Sequence, residues 1–247
     1  MNAAIITARK GSKSIRDKNV YTVGGRPMIA YPIQAALDAQ LVDRIYVTTD
    51  GDAIASVSEQ LGCEIIWRPE DLAGDTVNHG DVIRHAVEYI DGIGDLRNVV
   101  VLLGNTVMVD GALLDEALGT LDEQPDIDSV MSVWEAADDH PLRALEIQDG
   151  LLRPYGGVDR QVSTERQSYK KAYFYDQGVW AFRKECVQYC HGPNPWWWMG
   201  KKSIPIVRSW ITGRDVHTML DLAVAEWWLS IKDTHDVEQR ECMENVN

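Results

Sequence analysis

The chain begins with an apolar segment that leads directly into a basic, glycine-containing loop. Residues 4–19 read A-I-I-T-A-R-K-G-S-K-S-I-R-D-K-N. An amphipathic helix is predicted at 28–39 and a second strand at 44–49. A strand, a loop, a helix and another strand in this order are typical of an α/β protein with a parallel sheet. Ligands of open α/β sheets bind at the carboxyl ends of the strands, where this loop begins.

The charge of this loop contrasts with that of the whole chain. Residues 9–18 hold five of the 24 lysines and arginines in a 247-residue chain of formal net charge −14. Cationic side chains and loop N–H groups offset the charge of phosphates, so the loop predicts a nucleoside triphosphate site. The alternative is a solvated surface loop. A Walker A loop is excluded because only Gly11 precedes Ser12 and Lys13.

Strand and helix patterns alternate along most of the chain, which favours helices on both faces of a mostly parallel sheet. Further strands are predicted at 63–67, 98–103, 128–134 and 178–183. Further helices are predicted at 52–61, 79–91, 111–122 and 218–231. Residues 140–177 break this rhythm and are expected to form short strands or loops. We treat residues 1–247 as a single domain.

Composition excludes several classes of protein. The pI of about 4.8 argues against a nucleic-acid partner, whose binders carry an extended basic face. The sequence shows neither a signal peptide nor an apolar run of about 20 residues, so we expect a cytoplasmic protein without a membrane segment. Cys186, Cys190 and His191 lack the second ligand pair that a structural zinc site needs.

Six ordered blocks between residues 3 and 222 resemble the acylneuraminate (CMP-sialic acid) cytidylyltransferases. The first reads A-R-x-x-S-K-x-I-x-x-K-N at 8–19 and continues as G-x-P-M-I-x-Y at 25–31. The others are D-R-I-Y-V-T-T-D at 43–50, R-P-E-D-L-A-G-D-T at 68–76, H-P-L at 140–142, E-R-Q at 165–167 and D-V-H-T-M-L-D-L at 215–222. The resemblance implies a Rossmann-like (GT-A-like) nucleotidyltransferase fold with three α/β/α layers.

The resemblance also implies a reaction. A hydroxyl of a 2-keto-3-deoxy acid sugar (a nonulosonate or an octulosonate) attacks the α-phosphorus of CTP, which releases pyrophosphate. We predict catalytic phosphate contacts from Arg9, Lys13 and Lys18. The predicted nucleotide-binding residues are Ala8, Gly11, Ser12, Asn19, Arg68, Asp75 and Thr76. The structural alternatives are a plain turn at Lys18 and Asn19 and a surface arginine at 68.

The acceptor side departs from the family pattern. The predicted substrate-binding residues are Asn105, Thr106, Arg166, Gln167 and Gln177, with Arg166 facing the sugar carboxylate. Gly104 stands where the family has a glutamine, and Asn78 and His79 stand where it has serines. Asp176 would repel an anionic acceptor unless it is paired.

The predicted metal site also departs from the family, which places Mg²⁺ on a D-x-D pair. Here the pair is Asp215 and His217. Magnesium prefers oxygen ligands and histidine suits softer ions, so Mg²⁺ or Mn²⁺ is expected. His217 could instead contact substrate or act as a general base. We interpret Asp221 as a packing carboxylate rather than a ligand.

The resemblance implies a homodimer in which residues 140–177 form an arm that reaches the partner's active site. Trp196, Trp197 and Trp198 are expected to pack in the core or at the dimer interface. Two alternatives stay open. One is the same fold with a different nucleotide or acceptor. The other is a catalytically weak nucleotide-binding regulatory subunit, for which His217 is the support.

Overall fold

The computed structural model describes residues 1–12, 14–74, 76–157, 165 and 169–244. The strands are β1 (Asn2–Thr7), β2 (Thr22–Val23), β3 (Arg26–Pro27), β4 (Arg44–Thr49), β5 (Glu64–Trp67), β6 (Asn98–Leu103), β7 (Ser129–Glu135), β8 (Leu145–Gln148), β9 (Leu151–Pro154), β10 (Tyr173–Arg183) and β11 (Ser203–Arg208). The helices are α1 (Ala30–Asp38), α2 (Asp52–Gln60), α3 (His79–Asp91), α4 (Gly111–Glu123), α5 (Cys186–Tyr189) and α6 (Met219–Glu244). None of the helices described is both long and apolar enough to cross a membrane.

The central sheet has seven strands in the order β11-β7-β10-β6-β1-β4-β5. Its neighbouring strands are parallel except for β10, which runs antiparallel to β6 and β7. The chain passes from β1 through α1 to β4 on one side, whereas β6 lies on the other side of β1. The carboxyl ends of β1 and β6 therefore lie side by side where the strand order reverses, which is where such sheets bind ligands.

Both faces of the sheet are covered by helices, which confirms the three-layer prediction. Along β1, Ala4 and Ile6 pack in one core cluster with residues of α1 and α4, and Ala3 and Ile5 pack in another with residues of α3. Successive side chains of a strand point to opposite faces, so a strand buried on both sides is apolar throughout.

The structure corrects one strand boundary and adds one strand that the sequence did not predict. The strand predicted at 178–183 extends over Tyr173–Arg183, so residues 173–177 of the predicted arm belong to the central sheet. Strand β11 was not predicted, because Pro205 interrupts its pattern. Proline is tolerated there because β11 lies at the edge of the sheet.

Strands β8 and β9 form a separate antiparallel hairpin within the predicted arm. Its register places Leu145 opposite Pro154 and Ile147 opposite Leu152, so these four side chains share one face. All four are exposed, and Ile147 is 77% exposed. A two-stranded hairpin is at best marginally stable alone, so this apolar face needs a covering surface.

Candidate active site

The crevice between β1 and β6 is closed at its base by close backbone contacts. Gly104 N donates to Thr7 O at 3.0 Å, and Asn19 Nδ2 donates to Arg9 O at 2.9 Å. A Cβ at residue 104 would lie 2.8 Å from Ala8 Cβ and 3.0 Å from Asn19 Oδ1. Gly104 therefore leaves the space in which the buried Asn19 packs against the end of β1.

Three of the predicted cationic or base-binding residues lie near one another at this crevice. Lys18 Nζ donates to Val216 O at 2.8 Å. Burial lowers the pKa of Lys18, and the neighbouring charge of Arg9 lowers it further. Arg68 donates to the side chain and carbonyl of Thr48. Burial and Arg9 lower the pKa of Arg68 to about 10, against the opposing effect of Asp50. The crevice thus concentrates positive charge in an acidic protein.

A second loop, which carries Asp215 and His217, is fixed against the crevice by Asn105. Asn105 Nδ2 donates to Asp215 Oδ2 at 2.8 Å and to Val216 O at 2.9 Å, and Val216 N donates to Asn105 O at 3.0 Å. The Val216 side chain is buried in a small core with Ile15 of the basic loop and Leu222 of α6. The basic loop and the Asp215 loop are therefore held together by this small core.

The Asp215 and His217 side chains converge. His217 Nε2 lies 3.0 Å from Asp215 Oδ2, and this contact raises the pKa of His217. Among the described residues, no group of three or more His, Cys, Asp or Glu side chains is placed to hold an ion. One carboxylate and one imidazole nonetheless fit a divalent cation whose remaining ligands are waters and substrate phosphates, as Mg²⁺ commonly has.

Asp221 is not available as a metal ligand, in agreement with its interpretation as a packing carboxylate. Its Oδ1 accepts a hydrogen bond from Arg214, and its Oδ2 accepts from the backbone N–H groups of His217 and Thr218 and from the Thr218 hydroxyl. Burial opposes its ionisation, yet Arg214 and Thr218 lower the pKa of Asp221 to about 2. Asp221 therefore caps the start of α6 and supports the loop of Asp215.

Two cavities adjoin the Asp215 loop, and no described residue of the basic loop lines either of them. The larger has a volume of about 500 Å³ and the smaller about 400 Å³. Both are lined by Tyr175, Gln177, Asp215 and His217. The smaller cavity is lined mainly by aromatic rings, which include His79 and the tryptophans Trp180, Trp196 and Trp198. The cavities therefore provide space for a ligand beside the crevice.

The tryptophan cluster predicted to pack does so in part. Trp198 is buried in the core, and Trp197 rests against Gly80 and under the Arg84 guanidinium, 4.2 Å from the ring centroid. Trp196 and Trp198 both line the smaller cavity, and Trp196 also makes an edge contact with Tyr175 at 4.3 Å between ring centroids. Two rings of the three therefore face the site.

His79 is a site residue to which the sequence assigned no role. Its Nε2 lies 2.9 Å from Thr7 Oγ1, where β1 ends, and its ring packs against Trp180. Burial, with a smaller effect from the charge of Arg68, lowers the pKa of His79 to about 4. The ring is therefore neutral at pH 7. Asn78 beside it caps α3 by accepting from Gly80 N, a role that the sequence pattern before this helix could have indicated.

The other predicted residues have different surroundings. Gln177 lines both cavities, whereas Thr106 is fully buried and donates to Gln177 O at 3.1 Å. Asn105 supports Asp215 rather than facing a cavity, and Ala8 is buried against Gly104. Gly11, with a φ of 76°, and Thr76 are exposed, and Ser12 is half-buried. Lys13, Asp75, Arg166 and Gln167 lie outside the described residues.

The structure answers the concern about Asp176. Its carboxylate is 1% exposed and faces Arg208, with 3.5 Å between Oδ2 and Nη1. The carboxylate is thus paired and turned away from both cavities, so it does not present an unpaired charge to an anionic acceptor.

Comparison with known proteins gives the family of the chain. The family described as Cytidylyltransferase matches residues 3–153. The chain is 39% identical over 84 residues to the N-acylneuraminate cytidylyltransferase of Escherichia coli O18:K1:H7, an alignment that covers 34% of this chain and 20% of the relative. It is 42% identical over 88 residues to the CMP-N,N'-diacetyllegionaminic acid synthase of Legionella pneumophila. That alignment covers 35% of this chain and 37% of the relative. The chain therefore spans well under half the length of these two relatives.

A solved structure supports the fold over nearly the whole chain. The structure of CMP:2-keto-3-deoxy-manno-octonic acid synthetase complexed with CTP superposes with a TM-score of 0.68. It covers 94% of this chain and 99% of that one at 15% sequence identity. The similarity confirms the predicted nucleotidyltransferase fold. At this low sequence identity it is evidence for the fold alone.

Proposed function

The chain belongs to the cytidylyltransferase family, and from this premise we propose that it activates a 2-keto-3-deoxy acid sugar with CTP. The products are the CMP-sugar and pyrophosphate. The relatives are named for N-acylneuraminate and for CMP-N,N'-diacetyllegionaminic acid, so we propose a nonulosonate as the acceptor. An octulosonate is the alternative.

One observation carries this proposal. The basic crevice at the switch point and the two cavities meet at a single pair of side chains, Asp215 and His217. A transfer between a nucleotide and a sugar needs its two substrates side by side, with charge stabilisation where they meet. Lys18 reaches the same loop from the nucleotide side.

On the nucleotide side, we assign the phosphates to Arg9, Lys13 and Lys18. The ammonium of Lys18 is held at Val216 O and offsets charge that develops on the α-phosphate. Asn19 and Arg68 are assigned to the base, because both are anchored at the ends of neighbouring strands and are therefore rigid. Rigid polar groups lose little entropy when they bind a planar ligand.

On the acceptor side, the ring of the sugar occupies the smaller cavity between aromatic walls. Tyr175 and Trp196 form one edge of this wall, and Gln177 supplies polar contacts. Arg166 is assigned to the sugar carboxylate because a guanidinium binds carboxylates in a bidentate manner. The paired state of Asp176 makes the site compatible with an anion.

Asp215 and His217 would hold the divalent cation, Mg²⁺ or Mn²⁺. When bound, such an ion neutralises phosphate charge and orients the triphosphate. Asn105 and Asp221 keep the two ligands in place, since both contact the loop that carries them.

We also assign a homodimer to this function, formed through an arm within residues 140–177. The support is the exposed apolar face of the β8–β9 hairpin, which a second copy would cover. A self-complementary contact of this kind is what a twofold dimer requires.

Pyrophosphate release tests the proposal. The full chain is assayed with each of the four nucleoside triphosphates, with Mg²⁺ or Mn²⁺, and with acid sugars and neutral sugar phosphates. We expect release with CTP and a nonulosonate, and its loss in Lys13→Ala. If pyrophosphate is released only when the acceptor is a neutral sugar phosphate, the proposed acid-sugar acceptor is wrong. Binding of CTP without turnover under either metal would instead favour the regulatory subunit.

A further inference from the structure

Strand β10 carries an irregularity beside the two cavities. Its pairing with β7 changes register between Tyr175 and Trp180. Tyr175 and Gln177 line both cavities, whereas Asp176 between them is buried. Such bulges redirect side chains and commonly lie near active sites. The shape of this bulge therefore decides where two residues of the acceptor site lie.

Both carboxylate oxygens of Asp176 have partners, which lie in the bulge itself and on the strands β7 and β11. Oδ1 accepts from Gly178 N at 2.7 Å and from the hydroxyl of Ser132 on β7. Oδ2 faces Arg208 of β11. The carbonyl of Asp176 accepts from Trp180 Nε1 at 3.1 Å, so its backbone is fixed as well.

Arg208 completes this cluster from the edge of the sheet. Its side chain is 11% exposed, and Nη2 donates to Met108 O at 2.6 Å, in the loop after β6. A Cβ on Gly178 would collide with Arg208 Nη1. Gly178 is thus the residue that lets the guanidinium reach Asp176.

The same cluster touches the loop that leads to Asp215. Gln177 N donates to Gly213 O, and a Cβ at Gly213 would lie 2.8 Å from Asp176 Cβ. The bulge and the loop before Asp215 therefore rest on one carboxylate. Displacing that carboxylate moves both.

We infer that the buried Asp176–Arg208 pair is a positioning device for the acceptor half of the site. It holds the bulge of Tyr175 and Gln177 and the 213–215 loop in register. Neither residue lines a cavity, and no contact joins the pair to a described residue of the basic loop, so its effect is greater on the acceptor than on CTP. This inference rests on the proposed function for its substrate, and on geometry alone for the positioning.

The kinetic test uses two variants that act from different strands, Asp176→Asn and Arg208→Met. Both are expected to raise the KM for the acid sugar about tenfold and the KM for CTP clearly less, since small displacements of positioning groups cost at least about tenfold. The KM for CTP is measured at saturating Mg²⁺ or Mn²⁺, because the displaced loop also carries Asp215. Asp128→Asn is the matched control. Asp128 accepts from Lys201 N and Lys202 N at the opposite end of β7, and its loss should change stability without separating the two KM values. If Asp176→Asn does not fold, Arg208→Met carries the test.

Hydrogen exchange tests the positioning without turnover. Peptides over residues 173–183 and 209–215 should exchange faster in Arg208→Met than in the unsubstituted protein, and peptides over 98–103 should not. Unchanged exchange in both segments, or equal rises in the KM for CTP and for the sugar, would overturn the inference. A complete lack of turnover in the unsubstituted protein defeats the proposed function only, because the exchange result still decides the positioning.

Discussion

Lys18 is the residue that joins the nucleotide crevice to the loop of Asp215. Its ammonium donates to Val216 O and lies near Arg9 and Asp215. We predict that Lys18→Met lowers kcat by about 10²–10³, the usual cost of losing one donor that stabilises developing charge. Steady-state kinetics measure this. Lys10→Met is the control, because Lys10 is exposed and pairs only loosely with Asp50, and it should stay within about tenfold of the parent. Equal losses in both would contradict the assignment.

His79 gives the protein a pH-dependent stability. Its pKa is about 4 in the folded chain against an ordinary value of 6.5, so the unfolded chain binds the proton more readily between these values. The free energy of unfolding therefore falls as the pH falls from about 6.5 to about 4, by roughly 3 kcal/mol in all.

Denaturant unfolding of His79→Gln at several pH values measures this contribution. The variant should lose less stability than the parent over that window. His191→Gln, at an exposed ring, is the control. A slope in His79→Gln equal to that of the parent would show that the buried imidazole is not responsible.

The metal ligands that we propose, Asp215 and His217, imply a preference among metals. An imidazole suits Mn²⁺ better than Mg²⁺, whereas two carboxylates suit Mg²⁺. We predict that His217→Asp shifts the ratio of Mg²⁺ to Mn²⁺ affinity, in the presence of CTP, toward Mg²⁺ by about tenfold. Competition of Mg²⁺ against Mn²⁺, followed by electron paramagnetic resonance, reads this directly. An unchanged ratio, as expected for the control His191→Asp, would remove His217 from the metal site.

At the level of single residues, sequence did not show which partner a side chain contacts. Asn105 was predicted to bind substrate, yet its amide supports Asp215, which is 110 residues away. Arg208 had no predicted role, because its partner Asp176 lies on another strand. Contacts between distant residues depend on the order of strands in the sheet, and no local pattern encodes that order.

At the level of elements, the loops after β1 and β6 depend on a glycine. We predict that Gly104→Ala raises the KM for CTP, because the added methyl group would lie 2.8 Å from Ala8 Cβ and displace Asn19. Gly119→Ala in α4 is the matched control. Its nearest neighbour is Leu41 Cδ1 at 3.7 Å, and alanine favours a helix by about 1 kcal/mol over glycine. A normal KM in Gly104→Ala would show that the crevice tolerates a wider separation.

The elements that sequence predicted well are those with strong local signals. Helix α3 begins at His79 and ends at Asp91 as predicted, since Asn78 caps it and five apolar residues form one stripe. Strand β11 has no such signal, because Pro205 interrupts its pattern and further prolines and tryptophans precede it. A proline is accepted here because β11 is an edge strand, and its position at the edge is known only from the structure. The bulge in β10 likewise cannot be predicted from the sequence until the strands that pair with β10 are known.

At the level of the whole molecule, the β8–β9 hairpin predicts assembly. Ile147→Glu places a charge in the middle of its apolar face, and we predict that it converts a dimer into a monomer. Size-exclusion chromatography with light scattering measures the mass. Ile93→Glu, at another exposed apolar residue, should leave the mass unchanged. A parent protein that is monomeric at micromolar concentration would contradict the assigned dimer.

The central claim concerns the product, and its detection is the most direct test. The full chain is incubated with CTP, an N-acylated nonulosonate and Mg²⁺ or Mn²⁺, and the mixture is followed by ³¹P NMR and mass spectrometry. The account predicts one new phosphodiester, with the mass of CMP joined to the sugar, in equal amount to pyrophosphate. Pyrophosphate accompanied by free CMP, or a product formed equally well from another nucleoside triphosphate, would contradict it.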